Sequence, residues 1–396
     1  MKNQKAFSAF AAAIFALGFN FLITEKWFPQ YSNFSLTSYF STPEETPIEK
    51  NKIQVALLLD TSSSMDGLIE QAKSQLWQIL NLLAHTEGQK ETELEIALYE
   101  YGNSVRKTND VQIRKVSDFT TDMDFISEKL FSLTTNGGNE YCGQVIKRSL
   151  DQLEWGEEDG DMKMIYIAGN ERFTQGPFSY ATACQEAKKQ NISVNTIFCG
   201  NCEEGVRGLW KQGADLGDGE FLCINQNQPT VYIETPHDDR INELNKKLNE
   251  TYIPFGKKGK AKKESQRRQD KNAAGYSKAN SAERAAFKSS KKYKAESWDL
   301  VDAYKKDKNI LSNGQVDLTT VSDTLQNISI EELEAQIQNA AAQRAAIQTE
   351  IQNLNVERQN YINENSKKIP TENNLKNSIL KSVENQAKKK GYKIKN

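Results

Sequence analysis

Histidine is close to absent. Only His85 and His237 occur in 396 residues, and neither is spaced as a ligand partner. A zinc site and a histidine general base therefore both lack their usual residues. A glycine-rich phosphate loop is missing too, since NGG at 136–138 is a turn signal too short to be one. Neither sign of charge dominates. The formal net charge of −2 gives no global attraction to nucleic acid or to an anionic membrane. Apolar residues are sparse for a globular chain, at 37%, and unevenly spread. Strand-like runs lie almost wholly in the first 225 residues, and the rest is rich in Lys, Glu, Gln and Asn. What remains is room for one good core and a long polar tail, helical or disordered.

Long apolar runs are limited to one. Lys2 and Lys5 precede residues 6–23, an 18-residue run broken only by Ser8, Gly18 and Asn20 and closed by Glu25 and Lys26. Spanning hydrocarbon takes ~20 apolar residues, so residues 1–24 read as a signal anchor. With ALG at 16–18 as a mediocre cleavage site, they read alternatively as a removable signal peptide. The two lysines on the short side place the bulk of the chain outside the cytoplasm. In a bacterium it would be anchored in the inner membrane facing the periplasm, or sit in the cell envelope. Residues 25–50 have no sustained period and read as a linker.

Five cysteines, Cys142, Cys184, Cys199, Cys202 and Cys223, fall within 82 residues. An exported protein permits disulfides, and the odd count leaves at least one thiol unpaired. Cys199 and Cys202 have C-x-x-C spacing, which suggests redox or zinc chemistry. Yet they follow a late strand rather than open the helix of a thioredoxin-like unit, and no second pair completes a zinc set.

From residue 53 the pattern becomes regular. IQVALLLD reads as a buried parallel strand, and Leu68 or Ile69, Ala72, Leu76, Ile79 or Leu80, and Leu83 recur at helical spacing. Strands follow at 94–102, 111–116 (an edge strand), 162–169, 194–200 and 220–224. Helices follow at 123–133, 141–153, 179–190 and 203–213. The alternation predicts an α/β fold, a mostly parallel sheet flanked by helices. In such sheets ligands bind beyond the carboxyl ends of the strands, where Asp60 and the loops after 133 and 168 fall.

Beyond 226 the pattern weakens. Ile241, Leu244 and Leu248 mark a helix that could dock on the core, and residues 293–307 form an isolated aromatic and apolar patch. The stretch 256–271 holds eight Lys or Arg against two acids and no interleaved aromatic, so it reads as solvated linker rather than a nucleic-acid surface. Residues 227–328 are accordingly expected to be a polar, basic linker with short helices. In 329–368, Ser329 and Glu332 form a capping box. Ile330, Leu333, Ile337, Ala340, Ile347, Ile351, Leu354 and Tyr361 then keep a 3,4 rhythm, with Arg344 and Arg358 in the two remaining slots. This predicts a coiled-coil helix, with self-association through 329–361 and a hairpin with another helix both open. Residues 369–396 are expected to fray.

The densest chemistry is DTSSS at 60–64. A carboxylate and two hydroxyls at alternate positions, Asp60, Ser62 and Ser64, on a turn leaving a buried strand can face one hard cation such as Mg²⁺. The alternative is that Asp60 or Ser62 merely caps the helix starting near Met65.

ALLLDTSSSM resembles the metal-ion-dependent adhesion site of a von Willebrand factor A (VWA) domain, and the likeness extends over residues 51–226. LEIALYEYGN resembles that family's second strand, and LTTNGGNEYCGQVI its loop before a helix. TTNGGNEYCG and IAGNE followed by TQGP resemble an exported bacterial subgroup. The resemblance implies a Rossmann-like domain that binds a protein or ligand through a divalent cation, Mg²⁺ or similar, with a partner's acidic group at the metal rim. It implies binding rather than an enzyme. Two departures alter the site. Glu140 stands in the slot of the family's threonine, and Ala168-Gly169-Asn170 replaces its Thr-Asp-Gly, followed by Glu171. Either Glu140, with Asn170 or Glu171, rebuilds the ligand set at Asp60, Ser62 and Ser64, or the site is degenerate and the domain is a metal-independent scaffold. A third expectation, thiol or metal-dependent chemistry at Cys142 beside Glu140, competes with Cys142 as a small packed hydrophobe.

Overall fold

IQVALLLD is the middle of a six-stranded sheet. The computed structural model describes residues 50–88, 90–104, 112–224, 233–366 and 375–394. The strands are β1 (Asn51–Asp60), β2 (Thr86–Glu87), β3 (Thr92–Tyr101), β4 (Ile113–Thr120), β5 (Met162–Gly169), β6 (Ile192–Cys199), β7 (Phe221–Ile224) and β8 (Lys393–Ile394). The main sheet runs β4-β3-β1-β5-β6-β7, parallel except for the edge strand β4. Alternate side chains of β1 enter opposite faces. Ile53, Val55, Leu57 and Leu59 join one apolar cluster, and Ala56 and Leu58 the other.

Helices cover both faces. On the second face lie α3 (Cys142–Gln152), α4 (Tyr180–Lys189) and α6 (Trp210–Leu216), which place Val145, Ala183 and Trp210 against Leu58 and its neighbours. The short α5 (Cys202–Arg207) is tied to β7 by a Cys202–Cys223 disulfide. Cys142, Cys184 and Cys199 are buried thiols. The C-x-x-C spacing does not make a pair. Cys199 packs in the first cluster, while Cys223 packs against the second, on the other side of the sheet.

The first face carries α1 (Ile69–Ala84) and α2 (Met123–Ser132), and here the expected linker and tail prove to be structure. Residues 238–389 supply α7 (Asp238–Glu250), α8 (Gly259–Tyr276), α9 (Lys278–Lys288), α10 (Leu300–Lys306), α11 (Asp323–Gln326), α12 (Ile330–Ser366) and α13 (Leu375–Lys389). Ile241, Leu244, Leu248, Phe287, Trp298 and Val383 belong to the same apolar cluster as β1. Trp77 of α1 has its ring centroid 6.5 Å from Phe131 of α2 and 5.8 Å from Phe287 of α9.

Three expectations are corrected, for one physical reason: the faces that dock mix apolar side chains with buried polar and charged ones, so their hydrophobic period is weak. The basic stretch becomes α8, which buries Ser265, Gln266 and Gln269. Ser265 donates to Glu128 (3.0 Å), Gln266 to the Tyr293 hydroxyl (2.9 Å), and Gln269 accepts from Ser127 (3.0 Å). The heptad stripe of α12 is taken up inside the chain over Leu333, Ile337 and Ile351, while Ile330 and Tyr361 at its ends stay exposed. Its two arginines are interior ion pairs, Arg344 with Asp299 (2.6 Å) and Asp302 (2.7 Å), and Arg358 with Asp238 (2.7 Å). The capping box forms as expected, Glu332 N–H donating to Ser329 Oγ and Ser329 N–H to Glu332 Oε2. The supposedly frayed end forms α13 and then β8, antiparallel to β2. The N-terminal apolar segment and all of the 25–50 connector except Lys50 lie outside the described residues, as do 227–232 and 367–374. Among the described residues no helix is long and apolar enough to cross a membrane.

Candidate metal centre

β1 ends against β3, with Thr61 N–H still donating to Tyr101 O (2.8 Å), so Asp60 is held at the carboxyl rim of the sheet. Its side chain folds back: Oδ1 accepts the Ser62 N–H (2.8 Å). A 3-10 turn, Ser63–Met65, then brings Ser62 Oγ and Ser64 Oγ to 2.8 Å. Capping is confined to the turn, where Asp60 Oδ1 takes the Ser62 N–H, and does not extend to the helix. Helix α1 begins only at Ile69, its N-cap position is Leu68, and neither Leu68 nor Ser62 makes a side-chain capping bond.

Glu140 arrives from the other side, just before α3. Its loop is pinned to the first by Asn136 N–H to Thr61 O (2.9 Å), and Ser104 N–H donates to Gly137 O (2.7 Å). Ser64 Oγ lies 3.2 Å from Glu140 Oε1 and 2.9 Å from Asn170 Oδ1. Its single proton serves one of them at a time. Asn170 Nδ2 donates to Ser64 O (2.8 Å), fixing the end of β5 to the turn. The structure thus brings together Asp60, Ser62, Ser64, Glu140 and Asn170. It leaves the Glu171 side chain exposed beside them, with the Glu171 carbonyl accepting from Trp210 Nε1 (2.6 Å).

Asp60 is fully buried, Ser62 is 2% exposed and Glu140 4%. Asp60 Oδ2 is buried with no hydrogen-bond partner. Burial, and then the Glu140 charge, push the Asp60 carboxyl well above its ordinary range. Burial also raises Glu140, against the pull of Ser62 and of Asp60 facing it, and the Glu171 charge adds to the rise. Among the described residues neither Glu140 nor Glu171 makes an ion pair. Two inward carboxylates, one with a bare oxygen, beside two hydroxyls and an amide oxygen fit a hard divalent cation. Among the described residues no group of three or more His, Cys, Asp or Glu gathers as a metal site, so the set depends on its hydroxyl and amide oxygens.

Two neighbours escaped the sequence reading. Gly102, at φ +79°, lies so close that a Cβ there would sit 2.5 Å from Asp60 Oδ1 and 3.2 Å from Glu140 Cγ. A lone glycine after a strand carries no signal of that contact. Tyr101 lies beneath the site, its hydroxyl donating to Ala168 O (3.0 Å). Cys142 is buried within 3.8 Å of that hydroxyl, and burial pushes its thiol well up, the opposite of an activated nucleophile.

A family profile described as von Willebrand factor type A domain matches residues 54–206, and the chain carries that domain there. No curated protein matches the chain. Among solved structures it is similar to the conserved hypothetical protein BatB from Bacteroides thetaiotaomicron, at 16% identity over 44% of this chain and 90% of that one, TM-score 0.34. It is likewise similar to the SpRpn10 VWA domain, at 16% identity over 45% and 90%, TM-score 0.35. A third is proximal thread matrix protein 1 from the mussel byssus with zinc-occupied MIDAS motif, at 12% identity over 46% and 43%, TM-score 0.34.

Proposed function

We propose that this is an exported, membrane-anchored binding module that takes Mg²⁺ or a similar divalent cation at Asp60, Ser62, Ser64 and Glu140, with Asn170 and Glu171 at the rim. The reading rests chiefly on one observation, the fully buried Asp60 carboxylate whose Oδ2 has no partner while Glu140 stands beside it. Without a cation this carboxyl must either stay charged at a cost of several kcal/mol or take up a proton, and a bound cation removes that cost. Bound there, the ion supplies an electrophilic contact for an oxygen of a partner protein or ligand, such as a carboxylate.

The chain's own residues do the rest. Asp60 and Glu140 supply charge from the interior, Ser62 and Ser64 supply neutral oxygens, and Asn170 holds the turn. The exposed Ser64 and Glu171 form the edge that a partner meets. Export is supported by the 6–23 apolar run and by the Cys202–Cys223 disulfide, a bond at home in oxidising compartments. Equilibrium dialysis of the full-length chain against Mg²⁺, Ca²⁺ and Mn²⁺ tests the reading. Near-stoichiometric binding that Asp60→Ala and Glu140→Ala both abolish is expected. Absence of binding at millimolar metal would leave the metal-independent scaffold as the account of this domain.

A further inference from the structure

Lys73 is 1% exposed in α1, the helix that follows the 60–64 turn. Its Nζ donates to Leu133 O (2.7 Å), Phe131 O (3.4 Å) and Glu70 Oε1 (2.7 Å). Three donors meet three acceptors. Phe131 and Leu133 close α2, where carbonyls lack helical partners and the helix dipole is negative. The chain leaves Leu133 directly into the loop that ends at Glu140. Its next carbonyl, Thr134 O, is taken by Asn103 Nδ2 (3.1 Å), and Asn136 N–H reaches Thr61 O (2.9 Å) between Asp60 and Ser62. One cation therefore joins the helix that follows the Asp60 turn to the point from which the Glu140 loop departs.

The contact does not stop there. Tyr276, the last residue of α8, donates its hydroxyl to Glu70 Oε2 (2.9 Å) and lays its ring 5.8 Å from that of Phe131. Helix α8 also holds α2 along its length, through Ser265 to Glu128, Gln269 to Ser127 and an ion pair of Lys262 with Asp122.

We infer that Lys73 is a positioning residue that sets the Glu140 loop for the cation, and that Tyr276 and Glu70 couple the C-terminal helices to that setting. A methionine at 73 would fill the same space yet leave the Phe131 and Leu133 carbonyls without their donor. The inference rests on the metal reading of Asp60 and Glu140.

The test uses the full-length chain and Mn²⁺ alone, with free Mn²⁺ read from its electron paramagnetic resonance signal and the thermal midpoint in EDTA recorded separately. Lys73→Met is expected to weaken Mn²⁺ affinity by about two- to thirtyfold, the range for coupling through residues that do not touch the ligand. Tyr276→Phe, which keeps the ring at a position 45% exposed, is expected to weaken it about threefold. Tyr392→Phe serves as comparator. It removes a hydroxyl bonded to Gly160 O, remote from the rim, and should lower the midpoint without changing affinity. Wild-type binding with unchanged affinity in Lys73→Met and Tyr276→Phe, whatever their midpoints, would overturn the inference. If Lys73→Met does not fold, Tyr276→Phe decides. No binding by the wild type would instead overturn the metal reading itself.

Discussion

At the scale of single residues, the centre is legible where its donors are contiguous. Asp60, Ser62 and Ser64 are three oxygens within five residues, and only a turn after a strand makes sense of them. Gly102 is a different matter, because its role is set by atoms forty residues away in the chain. Gly102→Ala should cost at least ~1 kcal/mol from the positive φ alone, and its methyl group would press on Asp60 Oδ1. A lowered unfolding midpoint with a reduced response to Mg²⁺ is the expected result. Lys292 offers a test by pH. Burial lowers its pKa to about 8, against the raising charges of Glu87, Glu91 and Glu93 and with Lys294 adding to the fall, while its Nζ donates to Thr92 O. The unfolded chain holds this proton up to about pH 10.4. Between about pH 8 and that value the unfolded state binds more protons than the folded one, so this group makes stability rise with pH. Denaturant titrations at pH 7.5, 9 and 10 should show a shallower rise in Lys292→Met than in the wild type.

At the scale of elements, the strands of the main sheet and helices α1 to α4 follow their hydrophobic period closely, because each packs apolar side chains on or within a regular sheet. The C-terminal helices do not announce themselves that way. Arg344 and Arg358 look like breaks in a coiled-coil seam and are instead buried pairing points for Asp299 and Asp238. Arg358→Met should destabilise by about 3–5 kcal/mol, since Asp238 is left buried with a reduced partner set. Pairing it with Asp238→Asn should recover much of that loss in a double-mutant cycle. The capping box at Ser329 and Glu332 was visible because it is local. What α12 packs against was not, because its partners Asp238, Asp299 and Asp302 are residues that composition assigns to solvent.

At the scale of the whole molecule, the VWA domain and the helices after it share one apolar cluster. Phe287, Trp298, Ile351 and Val383 sit in it with Ile53 and Leu57. Large apolar side chains contribute about 1.5–3 kcal/mol each when fully buried. A chain cut after residue 256 should therefore unfold or bind a hydrophobic dye strongly, even though it retains every strand of the main sheet. The disulfide acts on the same scale. Closing the 21-residue separation between Cys202 and Cys223 should contribute about 3 kcal/mol, lost in the Cys202→Ser, Cys223→Ser double variant.

The central claim is that Asp60 is a buried charge held for a cation. Thermal unfolding of the full-length wild type and of Asp60→Asn, each in EDTA and in excess Mg²⁺, tests it most directly. In EDTA the buried Asp60 carboxyl must either stay charged against Glu140 or take up a proton, so an amide there should make Asp60→Asn the more stable protein. In Mg²⁺ at ~100 times its dissociation constant, the wild type should gain about 2.7 kcal/mol and close most of the gap to a variant that gains nothing. A wild type indifferent to Mg²⁺, with Asp60→Asn the less stable in both conditions, would contradict the account.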